Sequence, residues 1–195
     1  EDSREPLTTL VLTWGLNGIV DLWRLSADRR LIKLCTTLFL AHKCGLFYCD
    51  VVSISPCGTM LAYCTDDGYV VEIMKLQELQ GREEGEEESS SNILFQRLFS
   101  VGPTETGEYN DYSLVRFTPD GKTLLLGYKG NLVFYNVESR TKVHEMVIRK
   151  AELITCIAFC DLMVAVGCES TIYLFRRGDL DRYDTLFFYR TLQGH

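Results

Sequence analysis

The residues with most chemistry to offer are three histidines (His42, His144, His195), eight cysteines, and the adjacent pair Arg176 and Arg177. Imidazole and thiolate suit zinc, so His42, Cys44 and Cys49 are the first metal candidates. Their spacing lacks the Cys-x-x-Cys knuckle that fixes tetrahedral geometry, and the chain contains no such pair. Cys35, Cys57, Cys64, Cys156, Cys160 and Cys168 lie in or beside apolar runs, where cysteine behaves as a small buried hydrophobe. No nucleophile, base and orienting acid form a recognisable triad, and the glycines belong to turns rather than to a phosphate-cradling loop. The chain is therefore read as a non-enzyme with no catalytic residue, no metal and no cofactor.

Two charged stretches remain. Adjacent guanidiniums at Arg176 and Arg177 have the chemistry to clamp a phosphate. Asp179, Asp181 and Asp184 follow closely and oppose anion capture. The run GREEGEEESSS, Gly81 to Ser91, holds five glutamates and repels itself, so a solvated loop is expected over 80–92. Its functional alternatives are a docking site for a basic partner and a phosphorylation target at Ser89, Ser90 or Ser91.

At 195 residues and 46% hydrophobic the chain can bury a core. A net charge of −7 argues against a general nucleic-acid or anionic-membrane surface, both of which need concentrated Lys and Arg. The cysteine usage is that of a reduced, cytoplasmic or nuclear protein. There is no 18-residue apolar run and no basic-then-apolar leader.

The elements that must position these residues are short β-branched and aromatic runs separated by Gly, Asp, Asn and Pro, with little 3.6-residue periodicity. The expected fold is all-β. Ser53 to Leu76 and Arg116 to Val137 share one grammar: strand, Pro-x-Gly turn, strand, tight polar turn, strand. Ile157 to Arg177 repeats it with a shortened turn, and Leu10 to Leu25 supplies its second half. Pro56 and Pro119 preset φ at one corner while Gly58 and Gly121 permit the positive φ that closes it. Asn17–Gly18, Asp66 to Gly68 and Lys129–Gly130 read as hairpin turns.

On these residues the chain resembles the WD40 repeat family. The third strand of each copy ends where that family carries tryptophan, at Trp23, Met74, Tyr135 and Phe175. These positions are separated by 51, 61 and 40 residues, against a family period of about 40 to 45. The resemblance implies a WD40-type β-propeller segment of about four blades, each an antiparallel four-stranded meander. It divides the chain into a partial blade at 7–41, a blade at 42–100, a blade at 101–149, and a blade at 150–195 running into the start of a next repeat. It also implies a structural hydrogen-bond network in which His42, Asp67 and the hydroxyl of Thr65 take family positions. Met74 departs from the tryptophan of that set, and Asn17, Lys129 and Glu169 stand where the turn aspartate belongs elsewhere.

Because propellers bury their edges by closing, three and three-quarter blades are expected to leave an apolar face uncovered. The ending LQGH looks like a repeat start. The remaining blades are expected from further sequence, another chain, or a bound partner. In the WD40 arrangement the loops joining blades lie on the top face, making Phe47, Tyr48, Tyr109, Tyr112, Arg149 and Lys150 the expected partner-binding rim. Phe175 to Gly178, FRRG, is similar to the phosphoinositide-binding motif of PROPPIN propellers, but it ends a third strand instead of preceding a first one. The expectation is a scaffold for other protein subunits in a larger intracellular complex. The alternatives are a phosphoinositide-binding propeller, for which Arg176 and Arg177 would provide the membrane contact, and one recognising RNA or a modified peptide.

Overall fold

A computed structural model of the chain describes residues 9–14, 19–25, 28–38, 51–65, 70–78, 93–102, 112–149, 152–179 and 182–193. Every regular element among them is a β-strand. Strands β1 (Thr9–Trp14), β2 (Ile19–Leu25) and β3 (Leu31–Leu38) form a three-stranded sheet. The second sheet is β4 (Val52–Ile54), β5 (Met60–Cys64), β6 (Val71–Glu78) and β7 (Ile93–Val101). The third is β8 (Tyr112–Phe117), β9 (Thr123–Tyr128), β10 (Asn131–Asn136) and β11 (Thr141–Val147). The fourth is β12 (Ile154–Phe159), β13 (Met163–Cys168), β14 (Thr171–Asp179) and β15 (Arg182–Gln193). Each is an antiparallel meander in chain order, and together they make a four-bladed propeller arrangement with one three-stranded blade.

The corners follow from the turn chemistry. Gly58 donates to the Ser55 carbonyl and Gly121 to that of Thr118, both at 2.8 Å, with φ of 72° and 70°. The shorter turn of the fourth sheet keeps the strand-closing bond, Cys160 N–H to Met163 O at 2.9 Å. Lys129 and Gly130 both have positive φ, 42° and 77°, as a two-residue type I′ hairpin requires.

One irregularity recurs in all four sheets. The outer hairpin shifts register between Leu22 and Trp23, Ile73 and Met74, Phe134 and Tyr135, and Leu174 and Phe175. A bulge places two residues opposite one and sharpens the local twist. Its recurrence immediately before Trp23, Met74, Tyr135 and Phe175 makes these four positions structurally equivalent.

Side-chain alternation then decides which blade meets which. Val115, Phe117, Leu124, Leu126 and Val133 of the third sheet join the core shared with the second. The intervening Leu114, Leu125, Leu132 and Phe134 join the core shared with the fourth. A strand buried on both faces has no polar alternation to show, which is why LLLGY and NLVFYN read as continuous apolar runs. The inner strands β4, β8 and β12 stand side by side. Phe117 N–H donates to Ser53 Oγ at 3.1 Å, and Ser113 Oγ donates to Ile154 O at 2.9 Å. Leu12 packs the first sheet onto the second sheet's core.

The fourth sheet is different on its second face. Relative to the bulge, Ile172 and Leu174 correspond to Leu132 and Phe134, which are 0% exposed. Leu174 is only half-buried, Ile172 is 44% exposed, and Phe187 beside them on β15 is 60% exposed. Leu192, paired with Ile172, shares this face.

Candidate functional site

Of the rim residues expected to contact partners, Phe47, Tyr48, Tyr109 and Lys150 lie outside the described residues. Tyr112 opens β8 and is buried in the core, its ring edge-on to Tyr128 at 5.9 Å, so it presents no contact surface. Arg149 is exposed, just past β11, where its backbone N–H and that of Ile148 donate to Gly130 O at 3.3 and 2.8 Å. Its guanidinium holds Glu152 at 2.8 Å and reaches the Tyr173 hydroxyl at 3.5 Å. Both contacts favour the charged guanidinium, the Tyr173 hydrogen bond most.

Among the residues assigned to the structural network, His42 and Asp67 are also outside the described set. Thr65 Oγ1 donates to the Val70 carbonyl at 3.0 Å. In the first sheet Trp23 Nε1 donates to Thr13 Oγ1 at 3.0 Å, and the Lys33 ammonium lies 5.1 Å from the Trp23 ring while pairing with Asp21. At the equivalent positions Tyr135 stacks on Phe99 at 6.2 Å, and Phe175 is buried with its ring edge-on to Phe188 at 6.0 Å.

The two arginines of the FRRG stretch lie inside β14, where successive side chains leave opposite faces of the sheet. Arg177 turns toward the β12–β13 corner and donates to Asp161 O at 2.9 Å. Arg176 is exposed on the other face, in register with Phe187. The fold therefore does not bring the two guanidiniums together on one anion.

The fold does bring together residues that no motif joined. The β8–β9 and β10–β11 turns lie at the opposite end of the blades from Arg149. There they meet the start of β5 and the middle of β7 in the second sheet around a groove of about 360 Å³. Its floor is Met60, Leu98, Phe99 and Val137, and its rim carries Lys122, Arg140, Asn136 and Glu138. Leu98 is the residue that the bulge leaves unmatched between Arg97 and Phe99. The rim is well fixed. Val137 N–H donates to Lys122 O at 3.0 Å, Ser139 N–H to Asn136 Oδ1 at 2.8 Å, and Lys122 N–H to Asp120 Oδ1 at 3.0 Å. Arg140, at φ 56°, holds its guanidinium 5.6 Å from the Phe99 ring centre. Sequence reading missed this site because Phe99 and Arg140 belong to different repeats. The hint available was a positive charge, Arg140, in a turn following an apolar third strand.

On the same end, Cys57 Sγ sits between Ser55 Oγ at 3.3 Å and Thr59 Oγ1 at 2.9 Å. Partial burial would raise its pKa, but these hydrogen bonds outweigh it and the thiol falls below its ordinary value. Among the described residues no three His, Cys, Asp or Glu side chains converge as a metal site.

No family model matches the chain, and no curated protein does. Solved structures do. A chain in the crystal structure of the mitotic checkpoint complex matches with TM-score 0.51 and 18% identity, over 76% of this chain and 39% of that one. A chain in the complex of KlAtg21 with the coiled coil of AgAtg16 matches with TM-score 0.55 and 10% identity, over 96% and 58%. A protein from Lactobacillus plantarum matches with TM-score 0.62 and 14% identity, over 96% and 56%. The chain thus spans about two fifths to three fifths of these three structures, and at these identities the likeness is one of fold.

Proposed function

We propose that this chain is a non-catalytic WD40-type scaffold that mediates protein–protein contacts within a larger intracellular complex, in the cytosol or nucleus. The observation that carries the reading is the uncovered face of the fourth sheet. At the two junctions flanking the third sheet, a face built at these same positions is buried against the neighbouring sheet. Ile73, Leu132 and Phe134 are 0% exposed, whereas Ile172 is 44% exposed. Fully covering an aliphatic or aromatic side chain is worth about 1.5–3 kcal/mol. The partner chemistry this face fits is another β-sheet with an apolar face, continuing the packing already repeated in the molecule. Two of the matched folds occur in assemblies, the mitotic checkpoint complex and the KlAtg21–AgAtg16 complex, and five described cysteines are free thiols.

The test is the native mass of the protein isolated gently from its source, with amide hydrogen exchange of β14 and β15. A native particle heavier than its own denatured chain, with slow exchange across Ile172–Leu174 that is lost in an Ile172→Glu, Leu192→Glu variant of unchanged circular dichroism, is the expected result. A native particle no heavier than its denatured chain, whose β14 amides exchange as fast in the wild type as in the variant, would sink the reading.

A further inference from the structure

We propose that the groove between the second and third sheets binds an acidic peptide, taking one apolar side chain onto the Phe99 floor and its flanking carboxylates onto Lys122 and Arg140. The apolar part of the argument is the floor. Met60, Leu98, Phe99 and Val137 are half-buried hydrophobics facing a groove of about 360 Å³, a volume within the range of built ligand sites.

The charge of the ligand follows from the rim. Lys122 and Arg140 are both exposed, and neither forms an ion pair with a carboxylate among the described residues. In a chain of net charge −7, the groove is lined by two cations against the single carboxylate of Glu138, a small local excess of positive charge. Their backbones are anchored in hydrogen-bonded turns, so little ordering is needed on binding. Arg140 is further preset by the Phe99 ring beneath it, and Phe99 by Tyr135. Glu138 on the same rim disfavours a ligand that is negative at every position and sets where the peptide's carboxylates can lie.

The site is specific to this junction. Counting from the bulge, the position of Phe99 is held in the third sheet by His144, which tilts against Phe134 at 5.5 Å. At the next junction the position of Val137 is held by Arg177, which bonds the Asp161 carbonyl. Among the described residues, the aromatic floor with two cations above it comes from pairing the second sheet's outer strand with the third sheet's turns.

The experiment uses the whole chain and a fluorescein-labelled pentapeptide with a central phenylalanine between two pairs of acidic residues, read by fluorescence anisotropy. Saturable binding is expected, weakened about tenfold or more by Lys122→Glu with Arg140→Glu and weakened by added salt. The same peptide with serine at its centre, and the peptide with its carboxylates amidated, should each lose about tenfold. Because both substituted side chains are exposed, circular dichroism should show the variant folded. Equal binding by wild type and variant, or by the amidated peptide, overturns the proposal, as does no saturation by about 1 mM. Self-association abolished by the same substitutions would assign the groove to a second copy and overturn it equally. The groove is remote from the fourth sheet's outer face, so its failure leaves the scaffold reading standing.

Discussion

Ser113 Oγ donates to the carbonyl of Ile154 at 2.9 Å, across 41 residues of sequence and inside the core, tying the inner strand of the third blade to that of the fourth. Ser113 is also the residue that the irregularity between Tyr112 and Leu114 leaves unmatched, so the irregularity is what turns its hydroxyl toward the neighbouring blade. Ser113 Oγ also lies 3.4 Å from its own blade's Gly127 carbonyl, whereas Thr155, at the same place in the fourth blade, stays within its blade, 3.2 Å from the Gly167 carbonyl and 3.9 Å from Cys156 Sγ.

Ser113→Ala therefore removes a donor and leaves a buried carbonyl short of a partner. It should cost about 1–2 kcal/mol. Chemical denaturation checks it, and Thr155→Ala should cost less because that bond is only part-buried. An equal loss from both would remove the special role of the inter-blade bond.

Two glycines with nearly the same φ should respond very differently to alanine. A Cβ on Gly121 would meet nothing nearer than Pro56 Cδ at 3.5 Å, leaving only the left-handed strain of about 1–2 kcal/mol. A Cβ on Gly130 would lie 1.6 Å from the Arg149 carbonyl oxygen. The backbone at Ile148 and Arg149 would have to move off Gly130 O, so Gly130→Ala should cost several kcal/mol, on the order of 4. Thermal melts of the two variants compare them directly.

Stability should carry an acid-sensitive part from Glu145. The Tyr128 hydroxyl donates to this carboxylate and Lys142 Nζ lies 3.1 Å away, which together hold its pKa below the ordinary carboxylate value. A lowered folded pKa means the stabilisation is present above the unfolded value and fades as pH falls through the folded one. Tyr128→Phe keeps the ring on Tyr112 and removes the donor. It should cost about 1 kcal/mol near neutrality, and the gap between the two proteins should close at acid pH. A gap that does not change with pH would locate the effect elsewhere.

The cysteines should alkylate in a definite order. Cys57 is exposed and its thiol titrates below its ordinary value, while burial, with Glu152 nearby, pushes the Cys168 thiol up to about 11. At pH 8 iodoacetamide should modify Cys57 well ahead of Cys168, by about tenfold or more. Peptide mapping by mass spectrometry reads this. Replacing Thr59 with valine should slow Cys57 by removing the shorter of its two side-chain hydrogen bonds.

The sequence by itself determined the strands and their grouping into copies. Proline and glycine at the Ser55–Gly58 and Thr118–Gly121 corners, and Lys129–Gly130 between apolar runs, act through local backbone geometry that needs no distant partner. The equivalence of Trp23, Met74, Tyr135 and Phe175 was also legible, because a repeat places similar residues at similar places in successive copies. What only the tertiary structure decided is which surfaces meet. Tyr112 reads as a loop aromatic but is a core ring, because β8 starts at that residue and both faces of its sheet are covered. Arg176 and Arg177 read as a pair, but strand alternation sends them to opposite faces. Phe99 and Arg140 read as unrelated, and the groove exists because a bulge in β7 and a turn after β10 converge from separate blades. Local turn chemistry is written in adjacent residues, whereas contacts between blades depend on register, bulges and burial summed over the whole chain.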